Sequence, residues 1–245
     1  MSFVRQVHIG TSGWSYDHWT GPFYPEHISR DKHLDYYSGR FHTVEINNSF
    51  YNLPQKKTLQ RWRDIVGDDF LFSVKASRYI THMKKLKEPE ESTDKFFSRI
   101  DELKPRLGPI LFQLPPRWKI NLQRLESFLS VLSEDYRYTF EFRQTSWFDE
   151  RVYELLSRHN CAFCIYELDR RLSPIKVTAD FVYIRLHGPE GAYQGQYSRG
   201  VLQNWAKRFD RWQKEGKEIF CYFDNDQSGF AAQDALKLQQ MVSGN

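Results

Sequence analysis

Apolar and polar positions alternate along the chain with two different periods. Short apolar runs with a period of two predict β-strands, and segments with an apolar residue every three or four positions predict amphipathic helices. The strands are predicted over residues 4–10, 41–46, 70–76, 110–114, 138–143, 161–166, 181–187 and 218–224. The helices are predicted over residues 32–38, 58–66, 89–103, 122–133, 150–158, 201–215 and 229–241.

The order of these elements predicts the fold class. Strands that alternate with helices, without a low-complexity linker, are typical of a parallel α/β barrel, and 245 residues suit one domain over 1–245. Residues 168–178 have no helical period and contain Pro174, so the sixth strand lacks its helix. An open doubly wound sheet is the alternative, but residues 9–13 do not match the glycine pattern of a dinucleotide-binding turn. We therefore expect an α/β fold, a single (β/α)8 TIM-type barrel that is irregular after strand six.

Polar residues occupy one face of several predicted strands. In strand seven, for example, Tyr183, Arg185 and His187 alternate with apolar residues. The face of a barrel strand that packs on the helices must be apolar, so the polar face points into the lumen. Barrel active sites lie at the carboxyl ends of the strands, where the charged residues fall. The charged lumen set is Glu45, Lys75, Glu141, Arg143, Arg185, His187 and Asp224.

Five of these residues are candidate catalytic groups: Glu141, Glu45, Lys75, His187 and Asp224. Glu141 is the first choice for a general acid or base, because Arg143 shares its strand face and can orient it. Glu45 supplies a second carboxylate. Lys75 suits either a Schiff base or the neutralisation of a carboxylate, and neutralisation is favoured. A purely structural network of salt bridges is the non-catalytic interpretation.

Other side chains at the same strand ends are candidates for substrate binding. Arg143 and Arg185, together with His187, can hold an anionic group such as phosphate or carboxylate. Gln113 offers a hydrogen bond to a substrate or between two loops. The segment 188–197, rich in Gly and Tyr, suits either a mobile lid or a plain exposed loop. The remaining candidates are Trp14, Tyr16, Asn47, Tyr51, Tyr193 and Asn225.

Charge and composition limit the partners. The net charge of +4 permits an acidic or phosphorylated small-molecule substrate. Nucleic acid is only weakly supported, because the basic run at 84–87 is short and acidic residues follow it. No apolar stretch approaches the ~20 residues of a membrane span, so no membrane partner is expected.

The cysteines and the charge balance indicate no cofactor. Cys161, Cys164 and Cys221 have no second Cys or His pair at ligand spacing, so buried thiols in a reducing, cytoplasmic compartment are expected. The lumen cations would compete with a metal ion for the same carboxylates. No cofactor is therefore predicted and no metal ligands are assigned, although a divalent metal belongs to one alternative below.

A series of ordered motifs resembles the YecE-like family, a group of TIM-barrel proteins known as a domain of unknown function. The matching segments are residues 9–16, 45–51, 72–76, 81–82, 111–116, 141–143, 183–188 and 222–226, together with Trp147. The resemblance implies the barrel fold and no established reaction. Two positions depart from the family pattern. Gln144 stands where a His is usual, which removes an acid/base group, and Asp224 stands where an Asn is usual, which adds a carboxylate.

Three functions remain open at this point. The leading hypothesis is an enzyme, of hydrolase or isomerase/lyase type, that uses the carboxylates and the Arg/His clamp on a small polar or phosphorylated substrate. The second is a metal-dependent phosphodiesterase or nuclease with Glu45, Glu141, His187 and Asp224 as ligands. The third is a barrel that binds a ligand or regulates without catalysis.

Overall fold

The computed structural model describes residues 6–244, so residues 4 and 5 of the first predicted strand lie outside it. The strands are β1 Val7–Thr11, β2 Thr43–Ile46, β3 Leu71–Lys75, β4 Leu107–Leu114, β5 Tyr138–Phe142, β6 Ala162–Leu168, β7 Arg171–Leu172, β8 Phe181–Leu186 and β9 Glu218–Phe223. The helices are α1 His33–Ser38, α2 Lys56–Ile65, α3 Pro89–Ile100, α4 Leu122–Leu129, α5 Glu150–Arg158, α6 Arg199–Lys214 and α7 Phe230–Ser243.

Capping side chains define where several helices begin. Asn121 accepts a hydrogen bond from Arg124 N at the start of α4, and Ser198 accepts one from Val201 N at the start of α6. The predicted helix 122–133 was too long, because the backbone leaves the helix at Ser130. The predicted helix 89–103 ends at Ile100, and a 3-10 turn over Asp101–Leu103 follows it.

The contacts within the chain group into two compact units. Unit 1 contains the residues up to Glu45, the segment Ile165–Ile175 and the residues from Asp180 onward, while unit 2 contains Ile46–Cys164 and Lys176–Ala179. One domain over 1–245 stays a prediction.

In unit 1, β9 lies between β1 and β8, and all three run parallel. The register aligns the buried residues Ile9, Cys221 and Ile184 across the three strands. Helix α7 packs on β1 and β9, and it also contacts α6. The core of this unit is therefore the helix-facing side of these strands, as the alternation of polar and apolar residues predicts.

In unit 2, the strands β3, β4, β5 and the start of β6 form a parallel sheet. The rings of Phe112 and Phe140 stack at 5.3 Å between centroids, and Phe128 of α4 meets Phe112 edge-on at 5.1 Å. On the other face of the sheet, Gln113 of β4 lies next to Glu141 of β5 in the strand register. The sheet thus has one apolar face and one polar face.

The predicted fold class is confirmed: within residues 6–244, and apart from the short β7, eight strands and seven helices follow one another in the (β/α)8 order of TIM-type proteins. The predicted irregularity after the sixth strand is also present. Instead of a helix, the chain forms β7, which pairs antiparallel with the end of β6. Among the described residues, no helix has both the length and the apolar character needed to cross a membrane.

Candidate functional site

Four of the predicted site residues meet at the carboxyl ends of the strands in unit 1. Glu45 lies in β2, Arg185 lies in β8, and His187 and Asp224 directly follow β8 and β9. Glu45, Arg185 and His187 are fully buried, and Asp224 is 7% exposed. Gly10 allows β1 to approach β2 at this point, because a Cβ there would lie 2.2 Å from the carbonyl oxygen of Thr43.

The Glu45 carboxylate accepts hydrogen bonds from three side chains. Arg185 donates from Nε to Oε2 at 3.0 Å and from Nη2 to Oε1 at 2.7 Å. Ser12 Oγ donates to Oε1 at 2.6 Å, and Tyr183 OH donates to Oε2 at 2.7 Å. A buried charge is tolerated only when it is paired and hydrogen-bonded, and both oxygens of Glu45 meet that condition. This arrangement fixes the plane of the Arg185 guanidinium.

Arg185 also connects Glu45 with Asp224 and His187. Its Nη2 lies 3.2 Å from Asp224 Oδ2, and its Nη1 lies 3.3 Å from His187 Nε2. On the other side of the imidazole, Nδ1 lies 2.9 Å from the same Asp224 oxygen. Because a guanidinium can only donate, the contact at Nε2 makes that nitrogen the acceptor and indicates that the proton of His187 is on Nδ1, on the side of the ring near Asp224.

A second group of polar side chains, which the sequence-based assignment missed, lies on the loops beside this cluster. The Trp19 indole donates from Nε1 to Asp226 Oδ1, and the exposed His18 places Nε2 3.2 Å from Asp226 Oδ2. Burial raises the pKa of Asp226, and the nearby charge of Asp224 adds to that effect. Part of this group could be found in the sequence, because Asp226 belongs to the matched motif 222–226 and Trp19 follows the matched motif 9–16. Nothing in the sequence indicated that the two loops are in contact.

Tyr16 lies beside both groups. Its hydroxyl donates to the carbonyl oxygen of Ser12 at 2.6 Å, and its ring is half-buried. Burial raises the pKa of the Tyr16 phenol, and the charges of Asp224, Asp226 and Glu45 raise it further. Tyr16 therefore remains a neutral hydroxyl at physiological pH.

Hydrogen bonds hold the segment after β8 in place over most of its length. Gly188 N donates to Tyr197 OH at 3.0 Å, and Tyr197 N donates to Asp234 Oδ2 at 2.9 Å. Asn225, a predicted substrate-binding residue, donates from Nδ2 to Gly195 O and to Asp234 Oδ2, both at 2.9 Å, and is fully buried. The amide of Asn225 thus holds this loop.

Tyr193 is an exposed aromatic residue of that segment. Its ring stands edge-on to the His187 ring at 5.5 Å, and 48% of its surface is exposed. Its φ of 65° is unusual for a residue with a Cβ, and such strain is concentrated at functional sites. Trp14, in the first loop, is half-buried, and its carbonyl oxygen accepts a hydrogen bond from Tyr24 OH.

The other predicted catalytic carboxylate, Glu141, lies in unit 2. Arg143 Nε donates to Glu141 Oε1, as the parity of the strand predicts. The Cys164 thiol lies 3.7 Å from Glu141 Oε2, and Glu141 is fully buried. Glu141 and Arg143 therefore form a buried ion pair, with the side chain of Arg143 9% exposed.

The remaining predicted residues of unit 2 lie on the polar side of the sheet or in its loops. Lys75 is 8% exposed at the end of β3, and Gln113 is half-buried in β4. Asn47 is half-buried with a buried Oδ1 that accepts no hydrogen bond from the described residues. Tyr51 is 71% exposed, with its ring edge-on to Phe50.

The cysteines and the candidate metal ligands do not form a metal site among the described residues. Cys161, Cys164 and Cys221 are buried thiols, and burial raises the pKa of Cys161 to about 12. Within residues 6–244, no cluster of three or more His, Cys, Asp or Glu side chains is arranged to hold a metal ion. The proposed metal ligand set of Glu45, Glu141, His187 and Asp224 therefore has no geometric support in the described structure.

The fold and these residues define a class: an α/β protein of TIM type with buried charged clusters on the polar faces of its strands. The chain belongs to the family described as protein of unknown function DUF72, whose model matches residues 8–245. This membership confirms the resemblance to the YecE-like family. The chain is 26% identical to the UPF0759 protein YunF of Bacillus subtilis, over 96% of this chain and 94% of that protein. It is 31% identical to the UPF0759 protein YecE of Escherichia coli K12, over 58% of this chain and 50% of YecE.

Solved structures show the same fold. A DUF72 family protein from Thermotoga maritima superposes with a TM-score of 0.86 at 30% identity, over 98% of this chain and all of that one. A DUF72 family protein from Enterococcus faecalis gives a TM-score of 0.82 at 18% identity, over 97% of this chain and 95% of that one. The second similarity concerns the fold alone.

Proposed function

We propose that the protein is an enzyme that acts on a small polar substrate by general acid/base catalysis, with Asp224 as the proton-exchanging carboxylate. The observation that carries this proposal is the position of Asp224. Of the four side chains joined in unit 1, it is the one with an exposed edge, while Arg185 and His187 approach its Oδ2 from within the protein. A carboxylate held this way has a fixed orientation toward whatever reaches it from solvent.

In this proposal Glu45 and Arg185 position Asp224 and do not react. Both oxygens of Glu45 are saturated by donors, and neither residue is exposed. Arg185 would have to release Glu45 or Asp224 before it could clamp an anion. In this proposal Arg185 and His187 therefore orient Asp224, and the anion clamp expected at Arg143, Arg185 and His187 is not part of it. His187, with its proton facing Asp224, stabilises the carboxylate.

Asp226 supplies the second acid/base group of the proposal. Burial raises its pKa, which favours a carboxyl that can donate a proton to a bound substrate, and the contacts with Trp19 Nε1 and His18 Nε2 hold the carboxyl in place. The hydroxyl oxygen of Tyr16, whose proton is donated to Ser12 O, can accept a hydrogen bond from a substrate with hydroxyl groups, such as a sugar or a nucleoside. The ring of Tyr193 offers an apolar face to the same substrate. The buried thiols suit a reducing compartment such as the cytoplasm.

The test compares the conversion of small molecules by the wild type and by Asp224→Asn. Each protein is incubated with the same deproteinised cell extract, and compounds are quantified by mass spectrometry. We expect compounds that the wild type consumes and that Asp224→Asn leaves unchanged. Asp210→Asn, a substitution on the exposed side of α6, is the matched control and should behave as the wild type.

Two results would reject the proposal. Conversion by Asp224→Asn at the wild-type rate would remove Asp224 from catalysis. Binding of a compound by both proteins, without conversion by either, would favour the non-catalytic barrel. Elemental analysis of the same preparation tests the phosphodiesterase alternative, because a bound divalent metal is required for it.

A further inference from the structure

Ser15 and His33 form a hydrogen-bonded pair in unit 1. Ser15 lies in the loop that follows β1, and His33 is the first residue of α1. The distance between Ser15 Oγ and His33 Nδ1 is 3.0 Å. Ser15 is half-buried, whereas His33 is only 4% exposed. The pair therefore joins a partly exposed hydroxyl to a base inside the protein.

Tyr24 holds both members of this pair in position. Its ring is fully buried and stacks on the His33 ring, with 3.8 Å between the centroids and 3° between the planes. Its hydroxyl donates to the carbonyl oxygen of Trp14, the residue before Ser15. Serine hydroxyls are activated in enzymes where a base lies within hydrogen-bond reach and a third group orients that base. Here Tyr24 orients the base by stacking.

The surroundings of His33 leave its imidazole able to accept a proton. Burial lowers the pKa of His33 below its usual value of 6.5, and the charge of Arg30 lowers it further. A hydrogen bond with the backbone of Ile28 and the charges of Asp17 and Asp31 act in the opposite direction, but burial and Arg30 outweigh them. His33 is therefore uncharged at neutral pH, which is the state that a general base requires.

We propose that Ser15 is a nucleophile that attacks the carbonyl carbon of a small carboxylic ester, with His33 as its general base. The Ser15 oxygen forms a bond to that carbon while its proton passes to His33 Nδ1. The bond between the carbon and the alcohol oxygen then breaks, and the alcohol leaves with the proton from Nδ1. Esters are the favoured acyl donors because an alcohol leaves more readily than an amine.

Water completes the reaction. It attacks the carbonyl carbon of the acyl group on Ser15, its proton passes to His33 Nδ1, and the Ser15 oxygen regains that proton as it leaves. The products are the carboxylic acid and the free serine. This reaction involves neither Asp224 nor Asp226, so its test is separate from that of the acid/base proposal.

A fluorophosphonate reagent tests the nucleophile, because an activated serine hydroxyl displaces fluoride from its phosphorus. The protein is incubated with diisopropyl fluorophosphate at neutral pH, and the adduct is located by tandem mass spectrometry. We expect one adduct, on Ser15, and none in Ser15→Ala. Ser38→Ala is the matched control: Ser38 is also half-buried in unit 1, but its Oγ donates to the carbonyl oxygen of Asp35. This variant should react at the wild-type rate. The absence of an adduct on Ser15, or equal labelling of Ser38, would overturn the proposal.

The pH dependence of labelling tests the base in the wild type. Only the neutral imidazole accepts a proton from Ser15, so the rate should rise with pH and level off once His33 is deprotonated. Because the pKa of His33 lies below 6.5, more than half of the plateau rate should remain at pH 6.5. A rate that is proportional to the hydroxide concentration through neutral and alkaline pH would exclude His33 as the base.

His33→Gln gives a second readout. Glutamine cannot take up the proton of Ser15, so we expect the labelling rate to fall about 10²–10⁴-fold, the usual contribution of a general base. An unchanged rate in the folded variant would contradict the role of His33. The pH profile uses the wild type alone, so it decides this role even where the variant does not fold.

A small activated ester tests the turnover. We expect the wild type to hydrolyse p-nitrophenyl acetate with an initial burst of p-nitrophenol, because the acyl group accumulates on Ser15 before water removes it. Ser15→Ala should show neither the burst nor the steady rate. Hydrolysis by the wild type that is no faster than hydrolysis by Ser15→Ala would overturn the assignment to esters.

Discussion

Arg185 and Glu45 form a side-on ion pair, with Nε 3.0 Å from one carboxylate oxygen and Nη2 2.7 Å from the other, and both residues are completely buried. The pair connects β8 to β2, which are 140 residues apart along the chain. Its cost of desolvation is offset only while both partners and the donors Ser12 and Tyr183 remain in place. The ion pair therefore holds Glu45 of β2 and Arg185 of β8 in fixed positions within unit 1.

The first prediction concerns the removal of one partner. Glu45→Gln leaves the Arg185 guanidinium buried without its full counter-charge, so we expect the free energy of unfolding to fall by about 3–5 kcal/mol. The double variant Glu45→Gln/Arg185→Met should recover part of this loss, because the buried guanidinium is gone, and only part, because Asp224 then loses its contact with Arg185. Chemical denaturation measures both. Glu126→Gln, which breaks an exposed pair with Arg158, is the control and should cost less than ~1 kcal/mol. A similar cost for Glu45→Gln and Glu126→Gln would contradict this account.

The second prediction concerns the protonation state of His187. Because Arg185 can only donate toward Nε2, that nitrogen should be unprotonated, and Nδ1 should carry the proton toward Asp224. Long-range ¹H–¹⁵N NMR of protein labelled at histidine distinguishes the two nitrogens by their shifts. The exposed His159 serves as an internal reference. A protonated Nε2 in His187 at neutral pH would show that the contact with Arg185 is not a hydrogen bond.

The alternation of polar and apolar residues predicted which strand faces carry Glu45, Arg185, His187 and Asp224, because side chains two residues apart share a face. The order of strands and helices predicted the fold class for a similar reason: both periods are local properties of the sequence. The absence of a helix after β6 could also be predicted from the sequence, because residues 168–178 lack a helical period.

The pairing of these side chains was not predictable. The period of a strand assigns a side chain to a face of the sheet but does not identify its partner. The sequence therefore suggested an anion clamp that included Arg185. In the structure, the N–H groups of Arg185 contact the carboxylates of Glu45 and Asp224. The contact of His18 with Asp226 joins residues 208 positions apart and depends on how two loops fold. The Asn225 amide donates to Gly195 O and to Asp234 Oδ2, a pairing that the sequence does not show, and its role in substrate binding stays a prediction.

The third prediction concerns Gly188 in the loop after β8. Its φ is +110°, and a Cβ there would lie 2.2 Å from the carbonyl oxygen of Gln194. Gly188→Ala should therefore destabilise the protein by about 1–3 kcal/mol and displace Tyr193 from His187. Gly200→Ala, in α6 with open space around its Cβ position, should be neutral or stabilise by up to ~1 kcal/mol. Thermal denaturation compares the two, and equal melting temperatures would indicate that the loop adapts to a side chain.

The fourth prediction concerns the pH dependence of stability at Asp226. Burial raises the pKa of this carboxyl above its usual value of 3.8, so the folded state binds the proton more tightly than the unfolded state does. The contribution of Asp226 to stability is then fully present below pH 3.8 and is lost as the pH rises through the raised value. Asp226→Asn stays uncharged, and it can still accept a hydrogen bond from Trp19.

Asp226→Asn should therefore gain stability relative to the wild type as the pH increases above 3.8, and the gain should level off once the wild-type carboxyl is fully ionised. Denaturant unfolding at a series of pH values, followed by tryptophan fluorescence, measures the difference. Asp210→Asn controls for the loss of one negative charge from unit 1. A difference that shrinks as the pH rises would mean that the contacts with Trp19 and His18 outweigh burial, and that Asp226 is held as a carboxylate and not as a proton donor.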